Sequence, residues 1–176
     1  MAESAFITVP ESLVAYLDKH LPLAREGIAD HKQRFEANRA FFPEVSNQLA
    51  WNFMDEGIKL AENIQQALAE GQLSRSHIEE LYEWCRGTER RIILEFMTAL
   101  QKSAKALAAD NDDFKARINQ AFPIGSSDLN ELMRGLNEFL RMMDGIDMKL
   151  KMVNPALYKT IEQGITTGQY TAPGGL

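Results

Sequence analysis

The chain has 176 residues, 45% of them hydrophobic and 25% charged, with a formal net charge of -6 and a pI near 5.1. That length suits one domain with a real core. The acidic balance argues against a general nucleic-acid binder, which would show a basic face, and against attachment to anionic membranes.

The N-terminus, MAESAFITVPES, places Glu3 early and has no basic stretch followed by an apolar run, so it does not read as a signal peptide. A single cysteine cannot close an internal disulfide, and nothing points to an oxidising compartment. No segment reaches the roughly 18 uninterrupted apolar residues that a membrane span needs. The expected setting is reducing and cytoplasmic.

Taken in order, the elements are helices. Thr8 and Glu11 stand at capping-box spacing, with Pro10 where a first turn tolerates it. Val14, Leu17, Leu21, Ala24, Ile28, His31, Phe35, Asn38 and Phe42 then alternate steps of three and four, one face of a long helix. Pro22 lies inside that run, which predicts a break or kink near Leu21. Pro43 is expected to close this helix and open the next. The second helix has a main stripe of Val45, Leu49, Phe53, Leu60, Ile64 and Leu68 and a second apolar flank of Trp51, Met54 and Ile58. Gly71 stops it.

Ser76 and Glu79 make another capping-box pair, and the periodicity predicts one helix from there to about Asp110, roughly 50 Å long at 1.5 Å per residue. Next come a turn at NDD (111–113), a short helix with Phe114, Ile118 and Phe122 inward, and a loop at FPIGSSD (122–128). Asp128 and Glu131 cap a helix bearing Leu129, Leu132, Met133, Leu136, Leu140, Met143, Asp147 and Leu150. Asn154-Pro155 opens a last short helix near 155–164, and ITTGQYTAPGGL has no periodicity. The expected fold is therefore all-α. It is an elongated antiparallel bundle of four to five main helices with a kinked first helix. Residues 1–165 form a single helical domain and 166–176 a flexible C-terminal tail.

Cys85, five residues, then Arg91 reproduces the bare spacing of cysteine phosphatases. Such an enzyme needs its cysteine on a loop of free N–H groups that leads into a helix and cradles the phosphate. Here Ile78, Leu81, Tyr82, Cys85, Ile92, Phe96 and Leu100 form a helical stripe, where the N–H groups are already bonded. Cys85 reads as a buried structural residue. Arg86, Arg90 and Arg91 on the flank suit an acidic partner or an anion, with Glu83 within reach of Arg86. Gly87, mid-helix, marks a close crossing or a local kink.

His31 and Asn38, with Phe35 between them, could form a polar ligand-binding spot inside the bundle. His77 and Glu80 could grip a metal ion weakly. No Glu-x-x-His pair occurs, however, so no metal and no cofactor are expected. Five of the eight methionines, Met133, Met142, Met143, Met148 and Met152, crowd one helix region, and methionine-rich surfaces are adaptable partner sites.

The leading expectation is a non-enzymatic interaction protein: an adaptor, regulator or assembly subunit. It would bind a protein partner, or a second copy as a homodimer, through Trp51, Met54, Arg86, Arg90, Met142, Met148 and Met152. The alternatives are a ligand-binding sensor centred on His31, Phe35 and Asn38, and an enzyme built on Cys85 and its neighbouring arginines.

Overall fold

The apolar stripes assemble into an antiparallel helical bundle. The computed structural model describes residues 7, 9, 11–110 and 128–166, with the side chains at 107–110, 128–132 and 165–166 left aside. Its helices are α1 (Glu11–Ala37), α2 (Gln48–Ala69), α3 (Arg75–Arg86), α4 (Thr88–Asp110), α5 (Asp128–Val153) and α6 (Pro155–Thr166). A 3₁₀ turn, Arg39–Phe41, follows α1. The cap expected from Thr8, the short helix of Phe114, Ile118 and Phe122, the loop at 122–127 and the tail from 167 onward lie outside the described residues; α5 opens at Asp128, and α6 runs to Thr166, into the stretch expected to be tail. No helix among the described residues is long and apolar enough to cross a membrane.

Four pillars can be traced by their contacts. Asp18 with Gln65, Arg25 with Glu62 and Lys32 with Asp55 set α1 antiparallel to α2. Trp84 of α3 donates its indole N–H to the Phe53 carbonyl of α2 at 3.1 Å. Pairs between 86 and 147 and between 90 and 144 set α3 and α4 antiparallel to α5. The circle closes where α5 returns along α1, with Tyr16 donating to the Arg141 carbonyl at 3.2 Å. Further along this seam, a Cβ on Gly27 would stand 2.9 Å from the Gly135 Cα, and one on Gly135 would overlap the Gly27 carbonyl. Only two glycines allow that backbone approach. α6 folds back on the end of α5 and buries Tyr158 and Ile161.

The stripe of α1 is as expected from Leu17 to Phe35, with Leu17, Leu21, Ala24, Ile28, His31 and Phe35 buried. At its start Leu13 is buried in place of Val14, which is half-buried. Pro22 does not break the helix, which runs unbroken through it. Pro22 is exposed while Leu21 and Ala24 on either side of it are buried. Packing of that face outweighs the roughly 3 kcal/mol a proline costs inside a helix. The helix stops at Ala37, short of Phe42, where Asn38 turns its Nδ2 back onto the Arg34 carbonyl at 2.8 Å. α2 correspondingly opens at Gln48 and not at Pro43.

Three further expectations are corrected. The core face of α2 is Ala50, Trp51, Met54, Gly57, Leu60, Ala61, Ile64 and Ala67, so Trp51 and Met54, assigned to its second flank, are core and Ile58 is half-buried, while Leu49 is 48% exposed. A helix with neighbours on both sides buries a wide arc, and the small residues on that arc carry little apolar signal. The helix expected to run from about 76 to 110 is two helices, parted at Gly87, whose ψ of -161 leaves the helical range. A Cβ there would meet the Glu83 carbonyl oxygen at 2.6 Å. The break shifts the phase of α4, so Ile93 is fully buried where Ile92 was expected. The cap of α3 is Ser74, whose N–H donates to Nδ1 of His77 at 3.1 Å in a capping box, and not Ser76 with Glu79. A histidine nitrogen serves there as the acceptor that a glutamate usually provides.

Candidate functional site

Among the described residues, paired arginines and aspartates cluster in front of the buried Cys85. Arg86 ends α3 and Arg90 lies in the first turn of α4. Opposite them α5 presents Asp144 and Asp147, one turn apart, so two arginines four residues apart face two carboxylates three apart across an antiparallel seam. Arg86 donates from Nη1 and Nη2 to the two oxygens of Asp147 at 3.1 and 2.9 Å. Arg90 grips both oxygens of Asp144 in the same forked way, its Nη2 at 2.9 Å. Such forked pairs fix geometry as well as charge.

Around this ladder the contacts multiply. The Arg86 guanidinium lies 3.9 Å from the centre of the Tyr82 ring. The Tyr158 hydroxyl donates to Asp147 at 3.0 Å and ties α6 into the cluster. Burial opposes the charge on Arg86, but the hydrogen bonds and charge of Asp147 hold its pKa above the ordinary value. For Arg90 the hydrogen bonds of Asp144 do the same. Burial, with the nearby Asp147 contributing, pushes the Tyr158 hydroxyl upward.

Cys85 sits behind the ladder, 7% exposed, with its Sγ 3.9 Å from the Met143 carbonyl. Burial first, then Asp147 and Asp144, push its thiol up to about 12. At neutral pH it is a thiol and not a thiolate, so it lacks the nucleophile that phosphatase chemistry requires. Arg86 turns to Asp147 rather than to Glu83. Glu83 has its own pKa raised by burial and by Glu89.

Beyond Cys85 and the two paired arginines, a groove of about 540 Å³ runs along α4, lined there by Gly87, Arg91, Leu94, Glu95, Thr98 and Ala99. Leu94 is 41% exposed in it. Arg91 is exposed, and among the described residues its side chain makes no ion pair or hydrogen bond. A smaller groove of about 290 Å³ between α2 and α3 carries Glu56, Glu80, Glu83 and Glu89 beside Lys59 and the Trp84 ring.

The other candidate residues are dispersed. Trp51, Met54 and Met142 are 8%, 0% and 1% exposed, so they are core and not spare surface. α2 and α5 are covered on both flanks, which buries what looked like a second face. Met148 and Met152 are exposed at the end of α5, beside Val153. His31 is fully buried, accepts at Nε2 from the Trp51 indole at 3.4 Å and stands among the rings of Phe35, Trp51 and Phe96. Phe35 packs on Phe42, Trp51 and Phe96. Asn38 is buried and bonded to the backbone. His77 serves the cap of α3, and among the described residues no group of His, Cys, Asp or Glu is arranged to hold a metal ion.

Sequence reasoning missed Asp144, Asp147, Tyr158 and Leu94. The spacing of Asp144 and Asp147 matches that of Arg86 and Arg90 on one face each, but the register between the two helices is a tertiary fact. Compared with known proteins, the chain matches no protein-family model, no curated protein and no solved structure at a significant level.

Proposed function

We propose that the protein is a non-enzymatic helical interaction protein, an adaptor, regulator or assembly subunit, that holds a protein partner in the groove along α4. The observation that carries this reading is the groove itself. It combines an exposed aliphatic side chain, Leu94, with an unpaired guanidinium, Arg91, beside a rigid ladder of ion pairs. Partner sites concentrate their binding energy in such apolar centres edged by arginine. Arg86 and Arg90, paired with Asp147 and Asp144, would form one end of that site. Met148 and Met152 offer a second, smaller apolar patch, the place where a second copy of the chain would pair. A reducing, cytoplasmic setting suits a chain whose one cysteine is buried as a thiol. The sensor reading has less support, because aromatic rings already occupy the surroundings of His31.

A photo-crosslinking residue placed at position 94, with the exposed Leu23 as a control position, tests this reading in the native host. A discrete adduct from position 94 that position 23 does not give is the expected outcome. Equal, diffuse labelling from both positions would remove the groove from consideration.

A further inference from the structure

We infer that the occupant of the α4 groove is a helical segment of a partner protein in which a carboxylate lies one turn from an aliphatic side chain, an inference that rests on the interaction reading above. The stretch from Gly87 to Ala99 covers about 18 Å at 1.5 Å per residue, room for roughly three turns of a second helix. Gly87, Arg91, Leu94 and Thr98 fall at steps of four, three and four on one face of α4, so a ridge can run along them.

Charge sets the chemistry and the direction. At the Gly87 end of the groove stand three guanidiniums, those of Arg86, Arg90 and Arg91, and two of them are matched by Asp147 and Asp144. Among the described residues Arg91 is left without an ion pair, with Glu95 four residues on along α4, on a protein whose net charge is -6. A guanidinium has five N–H donors, so Arg90 keeps donors beyond those that hold Asp144. Glu95, one turn further along, repels a carboxylate there. The partner's anion therefore settles at the Arg91 end, and its aliphatic side chain lies over Leu94, Thr98 and Ala99. A basic or uncharged segment would leave Arg91 without its match. A nucleic-acid strand would carry repeated negative charge past Glu95.

The test is selection of random peptides of about 15 residues, displayed on phage, against the full chain. Binding of the selected peptides is then measured by fluorescence polarisation. Recovered sequences are expected to place Asp or Glu three or four residues from Leu, Ile or Phe. Arg91→Glu and Leu94→Glu should each weaken binding about tenfold or more, with unchanged helical circular dichroism. Selection repeated on Arg91→Glu should yield Lys or Arg where the acid stood. Thr98→Trp, which fills the groove at an exposed position, gives a second block should Leu94→Glu disturb folding.

Peptides that ignore both Leu94→Glu and Thr98→Trp would overturn the docking reading as a whole. Peptides lost on Leu94→Glu but indifferent to Arg91→Glu would keep the groove and overturn the acidic partner. A library yielding no enriched sequence would count against the inference. So would a dimer in sedimentation that Leu94→Glu dissociates, since a second copy would then be the occupant.

Discussion

Along α5, the seam with α1 and the seam with α3 and α4 hold by different means. On the α1 side two glycines bring backbones into contact, and Leu17, Leu21 and Ile28 of α1 and Leu136 of α5 are buried. On the α4 side two arginines reach across to two aspartates, and the residues beyond them leave a groove. The first seam has no space to give and nothing to exchange. The second is held at its margin by side chains whose donors are not all used. The proposed partner site is set on the second kind of seam, where stability depends less on complete burial.

The comparison can be broken most sharply at the glycine seam. Gly135→Val would drive methyl groups into the Gly27 backbone. A loss of about 3 kcal/mol or more in denaturant unfolding is expected, from overpacking that neither helix can relax. A loss below about 1 kcal/mol would show that the helices part easily and that the seams do not differ in kind.

Cys85 tests how closed the inner edge of the charged seam is. With its thiol held up to about 12 by burial and the aspartates, reaction with a disulfide reagent at about pH 8 should run about a hundredfold slower than a free thiol. The rate should rise to the free value only as the protein unfolds. Prompt labelling of the native protein would place the thiol in the open groove.

Smaller effects separate the arginines. Arg86→Ala leaves Asp147, whose side chain is 14% exposed, with Tyr158 as its remaining hydroxyl partner. About 1–2 kcal/mol should be lost, together with slower-exchanging amides in α6. Arg91→Ala should change stability by about 0.5 kcal/mol or less, as for other unpaired surface residues. Equal losses from the two would mean that Arg91 is structural, against the role proposed for it.

Glu83 gives the smallest effect and a sign. Its pKa is raised by burial and by Glu89, so the folded state holds the proton more tightly than the unfolded chain does. Its cost is therefore absent in acid, below the ordinary carboxyl range, and complete once the pH has risen past the folded value. Glu83→Gln should stabilise by about 0.5 kcal/mol or less at neutral pH, the scale of screened charges. The gain should vanish at about pH 4. A gain that persists in acid would point to packing and not to charge.

Local pattern made much of this legible. The stripe of α1 from Leu17 to Phe35, the inward place of Cys85 and the special role of Gly87 follow from periods of three and four and from the absence of a Cβ. These are properties of a single helix and need no neighbour. Periodicity and turn residues are enough to make the described residues helical, to place most of the helices and to keep Cys85 off a phosphate loop. Which arc of α2 faces inward depends on packing, since Trp51 and Met54 are core because neighbours cover them on both sides. Packing also carries Pro22 within an unbroken helix and turns Arg86 to Asp147 over the nearer Glu83, with Arg90 on Asp144. Those outcomes depend on the register between helices, and register is set by long-range packing that no window along the chain contains.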